Sequence, residues 1–263
     1  MGGGGLDIHY GCYKSANDGV FESSKETNLR LLTVLDWSRP ITKDSIVLDL
    51  GSGHGGISHE CAVKYGCKVI GANISPEQNN MNLEEAKKLG VGELVSVTLN
   101  NFNDGLPQEW SNKFTHIVSC EVLCHAANKS VLFKDLMRCL VPGGAFAFTD
   151  IMGADGADEK VLKDFTDRNA TTKMARPSEY MSLMKNAGYI NGSFLDYSPH
   201  LVHYFQGMVD QIKNNKDSMI SEGVSEAYLA KWNESLTSRV DIQKNHSVFA
   251  WGIFSCRKSG PIF

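Results

Sequence analysis

The stretch Val47-Leu48-Asp49-Leu50-Gly51-Ser52-Gly53-His54-Gly55-Gly56 decides the fold of this chain. Apolar residues that favour a buried strand lead into a glycine-rich turn, and an amphipathic segment follows it. The pattern therefore predicts a strand, a loop and a helix. The glycines let the backbone approach a ligand without a Cβ in the way, and the helix N-terminus offers free N–H groups and a partial positive charge. We predict a binding site here for the polar end of a nucleotide-like molecule.

Composition limits the classes of protein that this chain can belong to. A length of 263 residues, 42% of them apolar, fits a single globular domain. The net charge of −4 argues against nucleic acid as a partner, because phosphate binding needs a basic face. No apolar run approaches the roughly 20 residues that span a bilayer, and no signal-peptide pattern is present. Seven scattered cysteines without a CxxC pair favour reduced thiols, and hence a cytoplasmic protein.

Strand and helix patterns alternate along the first part of the chain. We predict strands over 46–50, 68–73, 94–99, 114–120 and 145–150, with helices over 76–89 and 131–140. Such alternation indicates a parallel sheet covered on both faces. Ligands of these sheets bind beyond the carboxyl ends of the strands, where the strand order reverses. The glycine loop lies at such a position.

The later part of the chain changes pattern. A predicted helix over 178–187 precedes strands over 190–197 and 248–256, and the segments 201–213 and 224–241 between these strands look helical. A long insertion of this kind often covers a binding site. We therefore predict an α/β fold: a seven-stranded, mostly parallel sheet flanked by helices, with a helical lid between the last two strands. The single domain 1–263 would have its core at 25–198 and 248–258, and its lid at 1–24 and 199–247.

A nicotinamide-dinucleotide site is one interpretation of the glycine loop, and two features argue against it. The third glycine, Gly55, comes one position early for the dinucleotide fingerprint. The second strand should also end in an acidic residue that binds ribose hydroxyls, yet it ends in Asn73. An asparagine can still bond a ribose, but without charge.

Three segments instead resemble the class I S-adenosylmethionine-dependent methyltransferases. Leu48–Gly55 matches the family's first motif, a hydrophobic residue followed by Asp-x-Gly-x-Gly-x-Gly. Cys120–His125 follows strand 4, where the family places residues under the methyl group, and Leu140–Gly144 matches the turn before strand 5. The resemblance implies a Rossmann-like fold and S-adenosylmethionine as methyl donor. The cysteines and histidines show no metal-ligand spacing, so we expect no metal.

Over nearly its whole length the chain is similar to the sarcosine and dimethylglycine N-methyltransferases that make glycine betaine. The segments that carry this similarity are Asp7–Lys14, Asn73–Asn79, Glu121–His125, Leu201–His203 and Trp251–Gly252. The similarity implies a small-molecule substrate, with neither nucleic acid nor membrane as partner. We expect a monomer or a homodimer.

The resemblance also implies which residues hold the donor. Asn73 and Gln78 would reach its ribose or methionine part, and Asn101 and Phe102 would hold the adenine. Asp49 would order the glycine loop more than touch the ligand. The full set of predicted donor-binding residues is Asp49, Gly51, Ser52, Gly53, Asn73, Ile74, Gln78, Asn101, Phe102 and Glu121.

An amine acceptor must lose its proton before it can take a methyl group. A free amine with a pKa near ~10 is deprotonated only about one part in a thousand at neutral pH, so a base would help. His125 lies where the resemblance places the methyl group, and imidazole suits proton uptake. The alternative for His125 is a cap on the following helix. Glu121, the second predicted catalytic residue, would accept from the donor's ammonium or from the substrate amine, or else be a solvated carboxylate.

A substrate with a carboxylate and a methylated ammonium needs a cation and aromatic faces. The resemblance favours Arg168 as the guanidinium that pairs with the carboxylate, and Arg176 follows eight residues later. His203, next to Tyr204, would close over the substrate. Aromatic faces for the ammonium would come from three residues, although core packing is the alternative for the last of them: Tyr10, Tyr13 and Trp251.

Three questions stay open at this point. S- or O-methylation of another small carboxylate-bearing metabolite would use the same donor site as N-methylation. A protein that binds the donor without turnover is a further hypothesis. The sequence also does not tell whether Met1-Gly2-Gly3-Gly4-Gly5 is native, a truncation point or a cloning remnant. If it marks a truncation, part of the lid is absent.

Overall fold

The computed structural model describes residues 7, 9–15, 18–168 and 173–261, except the side chains of residues 164 and 168. Helices and strands follow one another in this order: α1 Val20–Ser38, β1 Ile46–Leu50, α2 Gly56–Tyr65, β2 Lys68–Asn73, α3 Pro76–Lys88, β3 Val95–Leu99, β4 Phe114–Cys120, α4 Lys129–Cys139, β5 Leu140–Gly153, α5 Glu159–Arg168, α6 Pro177–Ala187, β6 Ile190–Asp196, α7 His200–Ser221, α8 Glu226–His246 and β7 Phe249–Arg257. The glycine-rich start falls outside the described residues.

The strands form one sheet in the order β3-β2-β1-β4-β5-β7-β6. Pairing is parallel from β3 through to β5, and β7 runs antiparallel between β5 and β6. Strands β1, β4 and β5 are almost completely buried, because helices cover both faces of the sheet. The predicted Rossmann-like, seven-stranded and mostly parallel sheet is confirmed. The strand order reverses between β1 and β4, so a ligand site is expected at their carboxyl ends.

Helix α1 was not predicted, because four of its nine buried residues are polar. Ser24, Thr27 and Asn28 are buried yet hydrophilic, so they break the apolar periodicity that reveals a helix. These side chains hold the N-terminal segment: the Thr27 hydroxyl donates to the Tyr10 carbonyl at 2.9 Å, and the Ser24 hydroxyl donates to the His9 carbonyl at 2.9 Å. The helix runs continuously across the predicted boundary between residues 24 and 25.

Helices α7 and α8 fill the insertion between β6 and β7; both end later than the predicted segments, and α8 also begins later than predicted. Their apolar faces pack on the third core cluster of the molecule, which includes Phe165 of α5 and both Phe249 and Trp251 of β7. Helix α5 was also not predicted. Among the described residues, no helix is long and apolar enough to cross a membrane.

Candidate active site

A cavity of about 490 Å³ opens at the carboxyl ends of β1, β2 and β4, where the strand order reverses. Its volume lies in the range of small-molecule binding sites. The lining residues are Asp7, His9, Tyr10, Asp49, Gly51, Ser52, Gly53, His54, Gly56, Ile57, Ala72, Asn73, Ile74, Gln78, Asn100, Asn101, Phe102, Asn103, Cys120, Glu121, Val122, Cys124, His125, Ile151, Phe165, Met174 and Tyr204. Every predicted donor-binding residue is in this set.

The glycine loop shapes one wall of the cavity. Gly51 and Gly53 have φ of 79° and 52°, in the left-handed region that favours glycine. A Cβ on Gly51 would come within 2.3 Å of a methyl group of Val122, so this glycine allows close protein packing. A Cβ on Gly53 would meet no protein atom within 4 Å. The open space beside Gly53 is the cavity, and a ligand can approach its backbone there.

Asp49 ties the end of β1 to helix α2. Its carboxylate is buried, and Oδ2 accepts a hydrogen bond from the Ser58 hydroxyl at 2.6 Å. Burial raises the pKa of Asp49 to about 6. Because Asp49 lies in β1 and Ser58 in α2, this hydrogen bond orders the glycine loop between them.

Amide side chains line the cavity at the end of β2. The Nδ2 of Asn73 donates to Oε1 of Gln78 at 2.9 Å. Ser75 caps helix α3 by accepting from the Gln78 backbone N–H, which fixes the start of the helix beside the cavity. This pairing leaves the carbonyl oxygen of Asn73 as an acceptor for a ligand hydroxyl.

Phe102 and Asn101 follow β3 in the cavity wall. Phe102 is half-buried and packs against a core cluster that includes Trp110, Phe133 and Phe146. The side chain of Asn101 is engaged locally, because Oδ1 accepts from the Asn103 backbone and Nδ2 donates to Asp104 at 3.0 Å. Phe102 thus offers a ring face, while the Asn101 amide shapes the loop.

Glu121 lines the cavity directly after β4, in a constrained conformation. Its φ of 58° lies in the left-handed region, which costs a non-glycine residue about 1 kcal/mol or more. Oε1 accepts from the indole Nε1 of Trp251 at 2.5 Å. Burial, together with the charge of Asp150, raises the pKa of Glu121 to about 8. Such strain and such a shift are typical of functional sites.

Aromatic rings adjoin Glu121. The rings of Tyr10 and Tyr204 lie 4.7 Å apart between centroids, and both line the cavity. None of the described lining residues is a lysine or an arginine. A carboxylate beside aromatic rings favours a cationic ligand group, and methylated ammonium groups bind to such faces.

The structure adds a buried cluster to which sequence reasoning assigned no role. His9 Nε2 lies 3.4 Å from Asp7 Oδ1, and both side chains line the cavity with Cys120. Burial lowers the pKa of His9, but the adjacent Asp7 carboxylate counteracts burial, and the pKa is raised above its ordinary value. His9 and Asp7 lie in the segment Asp7–Lys14, whose similarity to the N-methyltransferases could have indicated a role for them.

His125 stands at the rim of the cavity rather than inside it. It is solvent-exposed and ends the short 3₁₀ turn Leu123–His125. Partial burial and the nearby Lys129 lower the pKa of His125. The imidazole is therefore neutral at physiological pH and can take up a proton.

Three predicted substrate contacts are not on the cavity surface. Tyr13 is buried and packs on His203, with ring centroids 5.7 Å apart, while His203 itself is exposed on the outer side of α7. Trp251 is completely buried in β7 and reaches the cavity through Glu121. Helical spacing explains the difference at α7, since the buried positions Leu201, Tyr204 and Phe205 recur at intervals of three and four. Tyr204, not its neighbour, points inward.

The two candidate arginines lie at the end of α5 and just before α6. Arg168 is the last residue of α5, and its side chain lies outside the described part of the chain. Arg176 is engaged in structure, because its guanidinium donates to the carbonyls of Ala154 and Ala157 and pairs with Glu159 at 2.7 Å. Among the described side chains, no group of three or more histidines, cysteines and carboxylates is arranged to hold a metal ion.

Comparison with known proteins places this cavity in context. The family model for mycolic acid cyclopropane synthetase matches residues 10–249. A sarcosine/dimethylglycine N-methyltransferase from Halorhodospira halochloris is 31% identical over 255 residues, which span 97% of this chain and 89% of the relative. An enzyme of the same name from Aphanothece halophytica is 27% identical over 97% of this chain and 90% of the relative.

A solved structure agrees in fold along almost the whole chain. It is a protein from Galdieria sulphuraria, provisionally described as a sarcosine dimethylglycine methyltransferase. It superposes with a TM-score of 0.87 and 27% identity, covering 96% of this chain and 94% of its own. The glycine loop, the cavity at the strand ends and these similarities agree with one another: the chain belongs to the mycolic acid cyclopropane synthetase family of S-adenosylmethionine-dependent methyltransferases.

Proposed function

We propose that this enzyme methylates the nitrogen of sarcosine and dimethylglycine, towards glycine betaine, with S-adenosylmethionine as donor. The names of the two bacterial relatives support the acceptor, since the similarity covers nearly the whole chain. The observation that carries the proposal is the acidic and aromatic end of the cavity. There Glu121 adjoins the rings of Tyr10 and Tyr204, which suits an amine that becomes a quaternary ammonium.

The other end of the cavity fits the donor. The space beside Gly53, which a Cβ would fill, accommodates the polar methionine part near the N-terminus of α2. Asn73 accepts from a ribose hydroxyl, Gln78 supports it, and Phe102 packs on the adenine. Ser52 and Ile74 complete this lining. When bound, the donor supplies a methyl group already activated on a positive sulfur.

The protein's own contribution is position, charge and the exclusion of water. Holding a nucleophile in line with the methyl group removes much of the entropic barrier. Tyr204 of α7 and Phe165 of α5 close the acceptor end, so in this proposal α5, α7 and α8 act as the lid. Two groups can take the ammonium proton, Glu121 inside the cavity and His125 at its rim.

The substrate carboxylate needs a partner that the described lining does not provide. Arg168 at the end of α5 is the proposed partner, since its helix already contributes Phe165 to the cavity. We further propose a cytoplasmic location, as the thiols described in the structure are all free, and a monomeric or homodimeric state.

A substrate panel with detection by mass spectrometry tests the proposal. We expect sarcosine and dimethylglycine each to gain methyl groups in a reaction that depends on S-adenosylmethionine. Gain only on a thioether or a hydroxy acid would show S- or O-methylation instead. Donor binding without transfer to any acceptor would show a protein that binds the donor without turnover.

A further inference from the structure

One oxygen of the Glu121 carboxylate is fixed and the other is left for a ligand. Oε1 accepts from the indole of Trp251, which β7 contributes from 130 residues further along the chain. The Trp251 ring is completely buried, so it cannot follow a moving carboxylate. Oε2 is buried and forms no well-aligned hydrogen bond among the described residues, while the nearby Thr149 hydroxyl also favours ionisation of this carboxyl. An unpartnered carboxylate oxygen in a cavity wall is costly unless a ligand satisfies it.

A second buried carboxylate belongs to Asp150, which follows Thr149, the residue whose carbonyl accepts from the Glu121 backbone N–H at 3.1 Å. Asp150 of β5 is completely buried, where its Oδ2 accepts from the Tyr180 hydroxyl and its Oδ1 accepts from the Ile151 backbone at 3.1 Å. Its negative charge disfavours ionisation of Glu121, whereas the Trp251 hydrogen bond favours it. The two neighbours therefore act on Glu121 in opposite directions.

Other ionisable groups also face Glu121 from the surrounding elements. They come from the N-terminal segment, β4, the turn after β4, α6 and α7, namely His9, Tyr10, Cys120, Cys124, Tyr180 and Tyr204. Burial raises the pKa of each tyrosine and cysteine here, so these groups stay neutral near pH 7. His9 is the exception and adds positive charge, paired with Asp7.

We propose that Trp251 and Asp150 are positioning residues that make Glu121 the proton acceptor for the substrate ammonium. This inference rests on the proposed transfer to an amine. Trp251 turns Oε2 towards the nitrogen, and Asp150 keeps the carboxylate basic enough to remove a proton.

The N–H bond of the ammonium breaks and its proton passes to Oε2 of Glu121, which leaves a lone pair on nitrogen. That lone pair forms the N–C bond to the methyl group, while the S–C electron pair returns to sulfur and gives a neutral thioether. After product leaves, Glu121 loses its proton to water, and the site returns to its starting state.

The test compares the affinities of S-adenosylmethionine and S-adenosylhomocysteine at several pH values by calorimetry. An attacking amine must lie about 3 to 3.5 Å from the methyl group, so a carboxylate that contacts the amine also feels the sulfonium charge. Ionised Glu121 therefore favours the charged donor over the neutral product. We expect the affinity ratio to rise with pH, with a midpoint near the Glu121 pKa of about 8.

Two variants should move that midpoint in opposite directions. Trp251→Phe removes the hydrogen bond that stabilises the carboxylate, so the midpoint should rise by about half a pH unit or more. Asp150→Asn removes the repelling charge, so the midpoint should fall by about one unit. Trp110→Phe is the matched control, since Trp110 is also buried but outside the cavity, and it should leave the midpoint unchanged. The pH profile of kcat/KM should shift in the same directions.

The outcomes separate this inference from the proposed acceptor, because the affinity ratio needs no acceptor. A ratio that does not change with pH in the wild-type enzyme would overturn the inference. Equal shifts of the pH midpoint in Trp251→Phe and Asp150→Asn would also overturn it. A general loosening of the site would not move the midpoint in opposite directions in the two variants. If either variant does not fold, Glu121→Gln decides, because it must abolish the pH dependence of the ratio. Failure of the acceptor panel alone would leave these results intact.

Discussion

Two glycine substitutions should have the same effect on stability but different effects on donor binding. Gly53 and Gly66 have similar left-handed conformations, with φ of 52° and 64°, and a Cβ on either would meet no protein atom within 4 Å. They differ in place, since Gly53 lines the cavity and Gly66 ends helix α2 outside it. Replacing each by alanine therefore applies the same backbone change in two settings.

The magnitudes follow from these geometries. A left-handed alanine costs about 1 to 2 kcal/mol, so both Gly53→Ala and Gly66→Ala should lower the free energy of unfolding by that amount. For a chain of this size the midpoint temperature should fall by about 2 to 8 °C. Only Gly53→Ala places a methyl group in the ligand's space. Overpacking of about 1 to 3 kcal/mol corresponds to roughly five- to 150-fold weaker binding.

The assay is calorimetric titration with S-adenosylhomocysteine, with thermal unfolding measured on the same preparations. We expect Gly66→Ala to bind like the wild-type protein despite its lower unfolding temperature. Equal affinities for Gly53→Ala and Gly66→Ala would refute the assignment of this loop to the donor, whatever their stabilities.

Three further predictions concern the acceptor end and the core. His125→Ala should lower turnover while S-adenosylhomocysteine affinity stays within a few-fold, and unchanged steady-state turnover would remove His125 from the mechanism. Thr27→Val removes the hydroxyl that donates to the Tyr10 carbonyl and accepts from the Cys12 backbone N–H, so it should raise the acceptor KM several-fold and cost about 1 kcal/mol of stability. Thr33→Val, at a half-buried site on the same helix that does not contact the N-terminal segment through its hydroxyl, should change neither. Burial lowers the pKa of His116 to about 4, so the unfolded chain binds more protons than the folded one between that value and the ordinary 6.5. Stability should therefore fall by up to about 1.4 kcal/mol per pH unit as pH drops through this window, and urea unfolding of His116→Gln should lack that part of the slope.

The parts of the fold that sequence predicts are those with local signals. The run from Val47 to Gly56 contains a strand, a turn and a helix start in ten consecutive residues, and its periodicity and glycines are sufficient to identify them. The strand pattern over 68–73 likewise places Asn73 at the end of the second strand. Helix α1 was missed because the polar residues on its buried face form hydrogen bonds with the N-terminal segment instead of packing in an apolar core.

The properties of the acceptor end depend on contacts between distant parts of the chain. Glu121 could be identified from its position after strand 4, but its environment comes from Asp150 on one strand and Trp251 on another. The sequence predicts a substrate contact or a core position for Trp251, and its link to Glu121 requires the antiparallel pairing of β5 with β7. No local pattern encodes such a pairing, since it joins segments about a hundred residues apart.

Methyl transfer to dimethylglycine tests the central claim most directly. The purified enzyme is incubated with dimethylglycine and S-adenosylmethionine that carries a deuterated methyl group, and the products are measured by mass spectrometry. We predict glycine betaine with one deuterated methyl group, formed together with S-adenosylhomocysteine in equal amounts. The proposed function would be contradicted if the protein binds S-adenosylhomocysteine but forms no methylated product from dimethylglycine or from sarcosine.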